Sequence, residues 1–296
     1  MRLRYRLEHR AYHSAAALLR WLPLRVANAA ASLVGCVAFV SGGKRSRAAR
    51  ENLRIAFPEL SPLSRAALGL RSFRHFAWNV VDFARSEIWS ASEVERHVSL
   101  EGTGNLQSAL AEGRGVIILT LHLGNFELGA QAIALAGFKP LVIGRPFPNP
   151  LTYGHLVASL TRFGAELIDR EGAAPRMLRK LRRNEVVLVM NDQYVRPAYG
   201  IFVPFFGVRA STSAGVATLA ARTGAAVCPA YTVRHDDGKH TAWVLPALEF
   251  RKTSDRKRDI ARATAGYNAV LEGIIREYPE QWMWGHRRFR HSPDLR

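Results

Sequence analysis

The sequence predicts an α/β fold, with a mixed, largely parallel sheet flanked by helices on both faces. From about residue 97 onward, short runs rich in β-branched residues alternate with helical stretches, which is the pattern of strands joined by crossover helices. The run Val116–Leu119 is continuously apolar, as expected for a central strand that is covered on both faces. With 296 residues, of which 48% are hydrophobic and 22% charged, the chain is typical of a globular protein with one large domain or two smaller ones.

The first 44 residues are predicted to form a basic and apolar segment that precedes the α/β domain. Residues 1–50 contain nine Arg and one Lys against Glu8 alone, which accounts for half of the net charge of +18. Arg20 and Arg25 interrupt the apolar residues, so the segment lacks the uninterrupted stretch of a cleavable signal peptide. The charge-free window 26–43 is marginally long enough for a membrane span, but it is rich in Ala and Ser instead of Leu and Ile.

We expect residues 1–44 to form a membrane-associating helix, which either lies on the bilayer surface or acts as a single anchor. On the surface its arginines would face anionic lipid phosphates, and each cation would contribute about 1 kcal/mol. A helix packed on the protein core with a solvated basic face has the same sequence pattern, so this alternative stays open.

Residues 45–296 are predicted to form one domain, since no repeat or low-complexity linker interrupts them. Two helices come first, Arg45–Phe57, which Pro58 ends, and Ser64–Ala84. The strands predicted from β-rich runs are Val98–Glu101, Val116–Leu121, Leu141–Ile143, Glu166–Ile168, Val186–Met190, Ala226–Val233 and Ala242–Leu245. The helices predicted between them are Asn105–Glu112, Phe126–Ala136, Leu151–Phe163, Ala174–Arg182 and Ser213–Arg222.

His122 lies at the end of the strand that begins at Val116, and Glu127 follows in the first turn of the next predicted helix. In α/β folds, ligands bind beyond the carboxyl ends of the strands. On a continuous helix, side chains five residues apart would diverge by about 140°. The pair therefore converges only if the chain turns, which Gly124 and the helix-capping Asn125 permit. A carboxylate bonded to one imidazole nitrogen leaves the other free to take a proton from a hydroxyl, so the pair is a candidate for acid–base chemistry, although a structural contact has the same spacing.

Further blocks accompany this motif along the chain. They are 51–53 (ENL), 57–61 (FPELS), 115–118 (GVII), 191–193 (NDQ), 203–207 (VPFFG), 279–284 (PEQWMW) and 286–289 (HRRF). With these blocks, the segment from His122 to Glu127 resembles the H-x4-D/E motif of the lysophospholipid acyltransferase superfamily. Most of the chain resembles its lipid A biosynthesis (lauroyl/myristoyl) acyltransferase family. Phe126 replaces the Trp that is common before the acidic residue, a departure that we expect to alter packing more than chemistry.

The resemblance implies a glycerolipid acyltransferase-like fold. It also implies transfer of a fatty acyl chain from an acyl thioester to a hydroxyl of a lipid A precursor, on the cytoplasmic face of the cell inner membrane. In that reaction His122 would be the general base, Glu127 would orient and polarise it, and no covalent acyl-enzyme would form. The sequence agrees, because it has no G-x-S-x-G segment and neither cysteine has an activating local motif.

No cofactor is expected beside the thioester co-substrate, which is either an acyl carrier protein or coenzyme A. The resemblance favours acyl carrier protein, whose acidic surface the net charge would attract. The alternative is a phospholipid or glycolipid acyltransferase that uses coenzyme A, as do the related acyltransferases of mannosylated inositol lipids.

Other candidate substrate-binding residues lie close to predicted strand ends or helix starts. They are Asn125, Arg145, Arg162, Arg170, Asp192, Gln193 and Arg209. Arg145 is expected to bind a phosphate or the developing oxyanion, and Arg162 and Arg170 to grip substrate phosphates. Asp192 and Gln193 would bind the acceptor sugar or support the His122 site. The ordinary alternatives are solvated cations, a turn cap at Asp192 and a helix N-cap after Arg209.

Metal and nucleic-acid sites are not expected. The chain has no H-E-x-x-H, paired-cysteine or calcium-loop pattern, and Cys36 and Cys228 are predicted to be buried thiols in a reducing compartment. The positive charge would also suit nucleic acid, but no nucleic-acid-binding motif is present and half of the charge lies beside apolar stretches. The expected partners are therefore acyl carrier protein, anionic membrane lipids and a glycolipid acceptor. A non-catalytic lipid-binding protein is the alternative from another class.

Overall fold

The computed structural model describes residues 3–146 and 148–295. The strands are β1 (Val98–Glu101), β2 (Val116–Thr120), β3 (Leu141–Gly144), β4 (Glu166–Asp169), β5 (Val186–Met190), β6 (Ile201–Phe205), β7 (Val208–Thr212), β8 (Ala226–Arg234) and β9 (His240–Val244). The helices are α1 (Leu3–Trp21), α2 (Leu24–Val40), α3 (Lys44–Ala56), α4 (Pro62–Ser86), α5 (Ala91–His97), α6 (Thr103–Ala111), α7 (Phe126–Ile133), α8 (Pro150–Thr161), α9 (Ala173–Arg182), α10 (Gly215–Thr223) and α11 (Arg256–Glu277). Every predicted strand is present, to within two residues at each end.

Seven strands form one sheet in the order β1-β9-β8-β2-β5-β3-β4. Every neighbouring pair is parallel except β8 and β9, so the prediction of a mixed, largely parallel sheet is confirmed. Helices cover both faces, because Ile117 and Leu119 of β2 pack in one apolar cluster while Val116 and Ile118 pack in another. The continuous apolar run of β2 is the sequence property that allows this double burial.

Three parts of the fold were not predicted, and the first is the short helix α5. The antiparallel hairpin β6–β7 lies outside the main sheet, and α11 is a 22-residue helix with a largely polar sequence. The signals for α11 are the cap residue Asp255, which accepts a hydrogen bond from the Arg258 amide, and an apolar stripe at Tyr267, Leu271 and Ile274.

The N-terminal segment forms two helices in place of the single predicted one, and residues 1 and 2 lie outside the described residues. The break falls at Pro23, which has no N–H to continue the hydrogen bonds of α1 and instead caps α2. Both helices pack on α4. The Trp78 indole donates to the Asn28 carbonyl at 3.0 Å, and Arg85 donates to the carbonyls of Leu19 and Leu22 at 2.8 Å.

Within the described residues, no single helix has the length and apolar composition needed to cross a bilayer. Helices α2 and α3 meet the requirements of length and composition only when they are taken together. The angle between the two helices is 78°.

One face of α2 is apolar and open to solvent. Leu33, Val34, Val37 and Val40 are each more than half exposed. Single exposed apolar residues are ordinary on a protein surface, but a contiguous group of them marks an interaction surface. We refer to these four residues as the exposed α2 face.

Candidate active site

His122 and Asp192 face each other across the carboxyl edge of the sheet. Strands β2 and β5 are parallel neighbours with Thr120 opposite Met190, and each of the two residues follows its strand by the same two positions. Nδ1 of His122 lies 2.8 Å from Oδ1 of Asp192, and the His122 amide donates to Oδ2 at 3.0 Å. An ionised carboxylate only accepts hydrogen bonds, so the proton lies on Nδ1 and the Nε2 lone pair is free to take a proton.

The carboxylate of Asp192 is buried and accepts hydrogen bonds from three donors. In addition to the two from His122, the indole Nε1 of Trp282 donates to Oδ2 at 2.8 Å. Burial alone would raise the pKa of Asp192, but attraction to the His122 imidazole and these hydrogen bonds lower it to about 2. Asp192 is therefore ionised throughout the neutral range. The contact of Trp282 with Asp192 was not predicted, although the block that contains Trp282 was recognised in the sequence.

The pKa of His122 is raised above its ordinary value. Burial opposes this by disfavouring the imidazolium, but the charge of Asp192, its hydrogen bond and the charge of Glu127 together outweigh it. The ring of Phe126 packs edge-on against the imidazole, with 5.1 Å between ring centroids. The site thus contains a more basic imidazole than an isolated histidine, held in one orientation.

Glu127 lies in the first turn of α7, close enough to His122 to affect its charge. Within the described part of the chain no hydrogen bond joins the two side chains, and the carboxylate contact expected from Glu127 is made by Asp192 instead. The difference follows from the chain topology. Asp192 comes after the strand next to that of His122, whereas Glu127 lies on α7, beyond the turn. Burial raises the pKa of Glu127 to about 7, against the opposing effects of its own backbone amide and of His122.

The turn between His122 and Glu127 is fixed from two sides. Gly124 has a φ of +55°, its amide donates to the Gln281 carbonyl at 3.0 Å, and its carbonyl accepts from Asn79 at 2.7 Å. Asn125 caps α7 by accepting from the Leu128 amide at 3.1 Å. This structural role is what the sequence predicted for its position. Asn79, on α4, was not predicted because nothing in its local sequence connects it to this turn.

An apolar cavity of about 990 Å³ lies between α2 and α4 and reaches the catalytic edge. Its walls are mostly small or apolar side chains, including Ala31, Val34, Ala77 and Val81, and its inner end is formed by Gln193 and residues 283–286. The Met283 amide donates to the His122 carbonyl at 3.1 Å, so a residue that lines the cavity is in direct contact with His122. We refer to it as the apolar cavity.

Arg145 and Arg170 follow β3 and β4 at the same edge of the sheet as His122 and Asp192. Both are exposed, and their guanidinium groups have no described hydrogen-bond or ion-pair partner in residues 3–146 and 148–295. Because β3 lies next to β5, Arg145 is on the Asp192 side of the pair. Their binding of substrate stays a prediction.

Arg162 and Arg209 are occupied by contacts within the protein. Arg162 donates to the carbonyls of Ser86 and Glu87 at 2.6 and 2.8 Å and to the Gln131 amide oxygen, so it anchors the end of α4. Arg209 lies on β7 and forms an ion pair with Asp294 at 2.6 Å. The structure thus gives both arginines a structural role and does not bring them to the His122 pair.

The described residues contain no group of three or more His, Cys, Asp or Glu side chains arranged to hold a metal ion. Both cysteines are free, and burial raises the pKa of the Cys228 thiol to about 11. Cys228 therefore stays protonated at neutral pH and lacks the thiolate that a nucleophile needs.

The chain is similar to known proteins over most of its length. A family described as "Bacterial lipid A biosynthesis acyltransferase" matches residues 3–291. The lipid A biosynthesis lauroyltransferase of Escherichia coli (strain K12) is 29% identical over 85% of this chain and 81% of its own length. The lipid A biosynthesis palmitoleoyltransferase of the same organism is 28% identical, over 84% and 80%.

A phosphatidylinositol mannoside acyltransferase of Mycobacterium tuberculosis (strain CDC 1551 / Oshkosh) is 30% identical over a shorter region, 61% of this chain and 56% of its own length. The family match covers nearly the whole chain, including both carboxylates and the histidine of the site. The chain therefore belongs to the bacterial lipid A biosynthesis acyltransferase family and is an acyltransferase.

Proposed function

We propose that this enzyme transfers a fatty acyl chain from acyl carrier protein to a hydroxyl of a lipid A precursor, with His122 as the general base. The observation that carries the proposal is the hydrogen bond between His122 and Asp192 at the inner end of an apolar cavity, in a chain of this family. The names of its relatives supply the class of acceptor.

In the proposed reaction Nε2 of His122 takes the proton of the acceptor hydroxyl while the oxygen attacks the thioester carbonyl. The resulting tetrahedral intermediate collapses with cleavage of the C–S bond, and the departing thiolate takes the proton back from His122. Asp192 holds the ring and stabilises the imidazolium that forms between these steps. Glu127, when ionised, adds to the negative potential that favours the imidazolium.

The apolar cavity is proposed to hold the acyl chain of the donor. Its lining offers few polar groups, and its inner end adjoins the carbonyl of His122 through Met283. A chain lying along α2 and α4 would present its thioester carbon at the catalytic edge. Gln193, which lines this end, would contact the thioester or the acceptor. Arg145 and Arg170 would bind substrate phosphate or the developing oxyanion from the neighbouring strands.

Membrane attachment through the exposed α2 face is a further part of the proposal. Val34 and Phe76 are both exposed and both line the apolar cavity, so the cavity opens on the same apolar surface. Inserting this surface among lipid headgroups would bury the apolar residues and bring the N-terminal arginines to anionic phosphates. The membrane would be the cytoplasmic face of the cell inner membrane, where a carrier-protein donor is available.

A second candidate is transfer from acyl coenzyme A to a phosphatidylinositol mannoside or a related glycolipid. The similarity to the mycobacterial phosphatidylinositol mannoside acyltransferase favours it, although that similarity covers less of the chain. The two candidates share the catalytic pair and differ in donor and acceptor.

Mass spectrometry of reaction products tests both candidates together. Purified enzyme in detergent is incubated with acyl carrier protein carrying mixed chain lengths, acyl coenzyme A, lipid A precursors and lysophospholipids, in parallel with His122→Ala. We expect one acyl group to be added to a lipid A precursor from the carrier protein, and no product with the variant. Acylation only of inositol lipids from coenzyme A would favour the second candidate, and wild-type rates in a well-folded His122→Ala variant would remove the proposed base.

A further inference from the structure

A second cavity, of about 730 Å³, is lined largely by the C-terminal segment and has a more polar surface than the apolar cavity. Arg287, Arg290 and His291 line it together with Glu51 of α3 and Phe202 of β6. We refer to it as the polar cavity. The block 286–289 that contributes Arg287 has no role in the catalytic chemistry described above.

The two exposed arginines of the polar cavity make few contacts within the protein. Arg287 is exposed, and its guanidinium has no hydrogen-bond or ion-pair partner among the described residues. Arg290 donates to the His291 ring at 3.2 Å and lies over the ring of Tyr194, 5.9 Å from its centroid. The neighbouring Arg288 is different, because it is fully buried and donates to Ser211 and Thr212.

His291 has a backbone conformation that is uncommon for residues other than glycine, and its ring lies against Arg290 and Tyr194. His291 has a φ of +62°, in the left-handed region that few residues other than glycine adopt. Its ring contacts Tyr194, with 5.9 Å between centroids. Strain of this kind persists where the surrounding structure imposes it, and it is concentrated at functional sites.

The polar cavity adjoins the catalytic site through two short segments. Tyr194 comes two residues after Asp192, and Gln193 between them lines the apolar cavity. In the C-terminal segment, His286 lines the apolar cavity and Arg287 lines the polar one. A ligand bound in the polar cavity would therefore lie close to the segment that carries Asp192.

The lining of the polar cavity matches a phosphorylated sugar. Arginine binds phosphate through paired, charge-assisted hydrogen bonds. The carboxylate of Glu51 is exposed without a described partner and would accept from sugar hydroxyls, and the exposed part of the Phe202 ring offers an apolar surface to a sugar face. We propose that the polar cavity binds the phosphorylated sugar headgroup of the acceptor lipid, an inference that rests on the proposed function.

A binding measurement tests the site without requiring catalysis. The probe is a water-soluble phosphorylated glucosamine disaccharide without acyl chains, titrated calorimetrically into the full-length enzyme in detergent. Replacing Arg287 by Gln should weaken binding by about 10-fold or more, the usual loss for a charge-assisted hydrogen bond. Arg287→Lys should retain part of the affinity, and Arg183→Gln, at an exposed arginine after α9, should retain all of it. Equal affinity of the wild-type enzyme for the disaccharide without phosphate would overturn the proposal.

Steady-state kinetics shows whether the polar cavity binds the acceptor or the acyl carrier protein, whose phosphopantetheine arm also contains phosphate. In Arg287→Gln we expect the KM for the phosphorylated acceptor to rise by about 10-fold or more, with the KM for acyl carrier protein unchanged. A rise confined to the KM of the donor would assign the cavity to the phosphopantetheine arm and overturn the proposal. If the wild-type enzyme binds the phosphorylated disaccharide through Arg287 but transfers no acyl group to any lipid A precursor, the headgroup site stands while the proposed function fails.

Discussion

Gly124 lies against the carbonyl of Thr232, so closely that a Cβ atom at position 124 would be 1.9 Å from the carbonyl oxygen. Thr232 belongs to β8, the strand next to β2 in the sheet. The turn that follows His122 is therefore seated on the neighbouring strand, and its positive φ is matched by a contact that only glycine allows. The position of His122 depends on this contact as well as on Asp192.

Replacing Gly124 by Ala should destabilise the protein and reduce acyl transfer. Backbone strain at a positive φ and the overlap with Thr232 together should lower the free energy of unfolding by about 3 kcal/mol or more. Gly113→Ala is the matched control, because Gly113 also has a positive φ, +75°, but has no atom within 4 Å of the added Cβ. Its cost should be only about 1 kcal/mol. Chemical denaturation of both variants in detergent measures the difference, and equal losses would show that the Thr232 contact has no effect.

Asp192→Asn should reduce the maximal rate and change its pH dependence. His122 must be neutral to act as a base, so activity rises with pH through its pKa, which the charge of Asp192 raises. Without that charge the burial of the ring dominates and lowers the pKa, so the rising limb of the profile should move to lower pH. The rate at the plateau should fall by about 10²- to 10⁴-fold, because the ring loses its fixed tautomer. The check is a pH profile of kcat/KM, and a carboxylate that only caps a turn would leave both the limb and the plateau unchanged.

The sequence predicted the strands and the position of His122 well, because both depend on local patterns. A few consecutive apolar residues predict β2 and its burial on both faces. Gly124 and Asn125, which form the turn, follow it closely in the sequence. The H-x4-E spacing placed Glu127 correctly in the first turn of α7. Local sequence therefore identified the edge of the sheet at which the candidate site lies.

The partners of His122 could not be assigned in the same way, since they come from distant parts of the chain. Asp192 was a candidate with three open roles, and only the register of β2 against β5 brings it to Nδ1 of His122. Trp282 and Asn79 reach the site through the packing of the C-terminal segment and of α4, which no local spacing records. Arg162 shows the reverse case. Its position before the strand Glu166–Ile168 suggested a substrate contact, whereas its guanidinium donates to backbone carbonyls of the protein.

Glu127→Gln should remove one ionisation from the pH dependence of kcat/KM near neutral pH. Burial raises the pKa of Glu127 to about 7, so the wild-type enzyme should show an ionisation there in addition to that of His122. Ionised Glu127 also raises the pKa of His122, as the smallest of the contributions. In the variant the ionisation near pH 7 should disappear, and the rising limb should move to lower pH by less than in Asp192→Asn. Glu95→Gln, at an exposed glutamate of α5, is the control. Superimposable profiles for wild type and Glu127→Gln would mean that this carboxylate does not influence the base.

Ala77→Phe should shift the donor preference to shorter acyl chains. Ala77 lines the apolar cavity from α4, so a benzyl side chain there would take up space along the proposed path of the chain. Each methylene that no longer fits is worth roughly 10-fold or more in kcat/KM. Competition between carrier proteins loaded with different chain lengths, read by mass spectrometry, measures the shift. Ala67→Phe, at an exposed position of the same helix, should keep the wild-type preference, and an equal shift in both variants would count against the cavity as the acyl site.

Leu33→Glu should weaken binding to vesicles while leaving the folded enzyme intact. Leu33 is 67% exposed and belongs to the exposed α2 face, so the change removes little internal packing but places a charge where lipid is proposed to cover the helix. The lost apolar burial alone should lower the partition coefficient by about 10-fold or more. Gln107→Glu adds the same charge at an exposed position on α6 and separates the local effect from a change in net charge. Flotation with vesicles containing phosphatidylglycerol measures the partition of wild type and both variants. An anionic lipid weakly repels any added carboxylate, so a small loss of vesicle binding is expected in both variants. A large loss confined to Leu33→Glu would show that the exposed α2 face enters the membrane. An equal small loss in both variants would show that it does not.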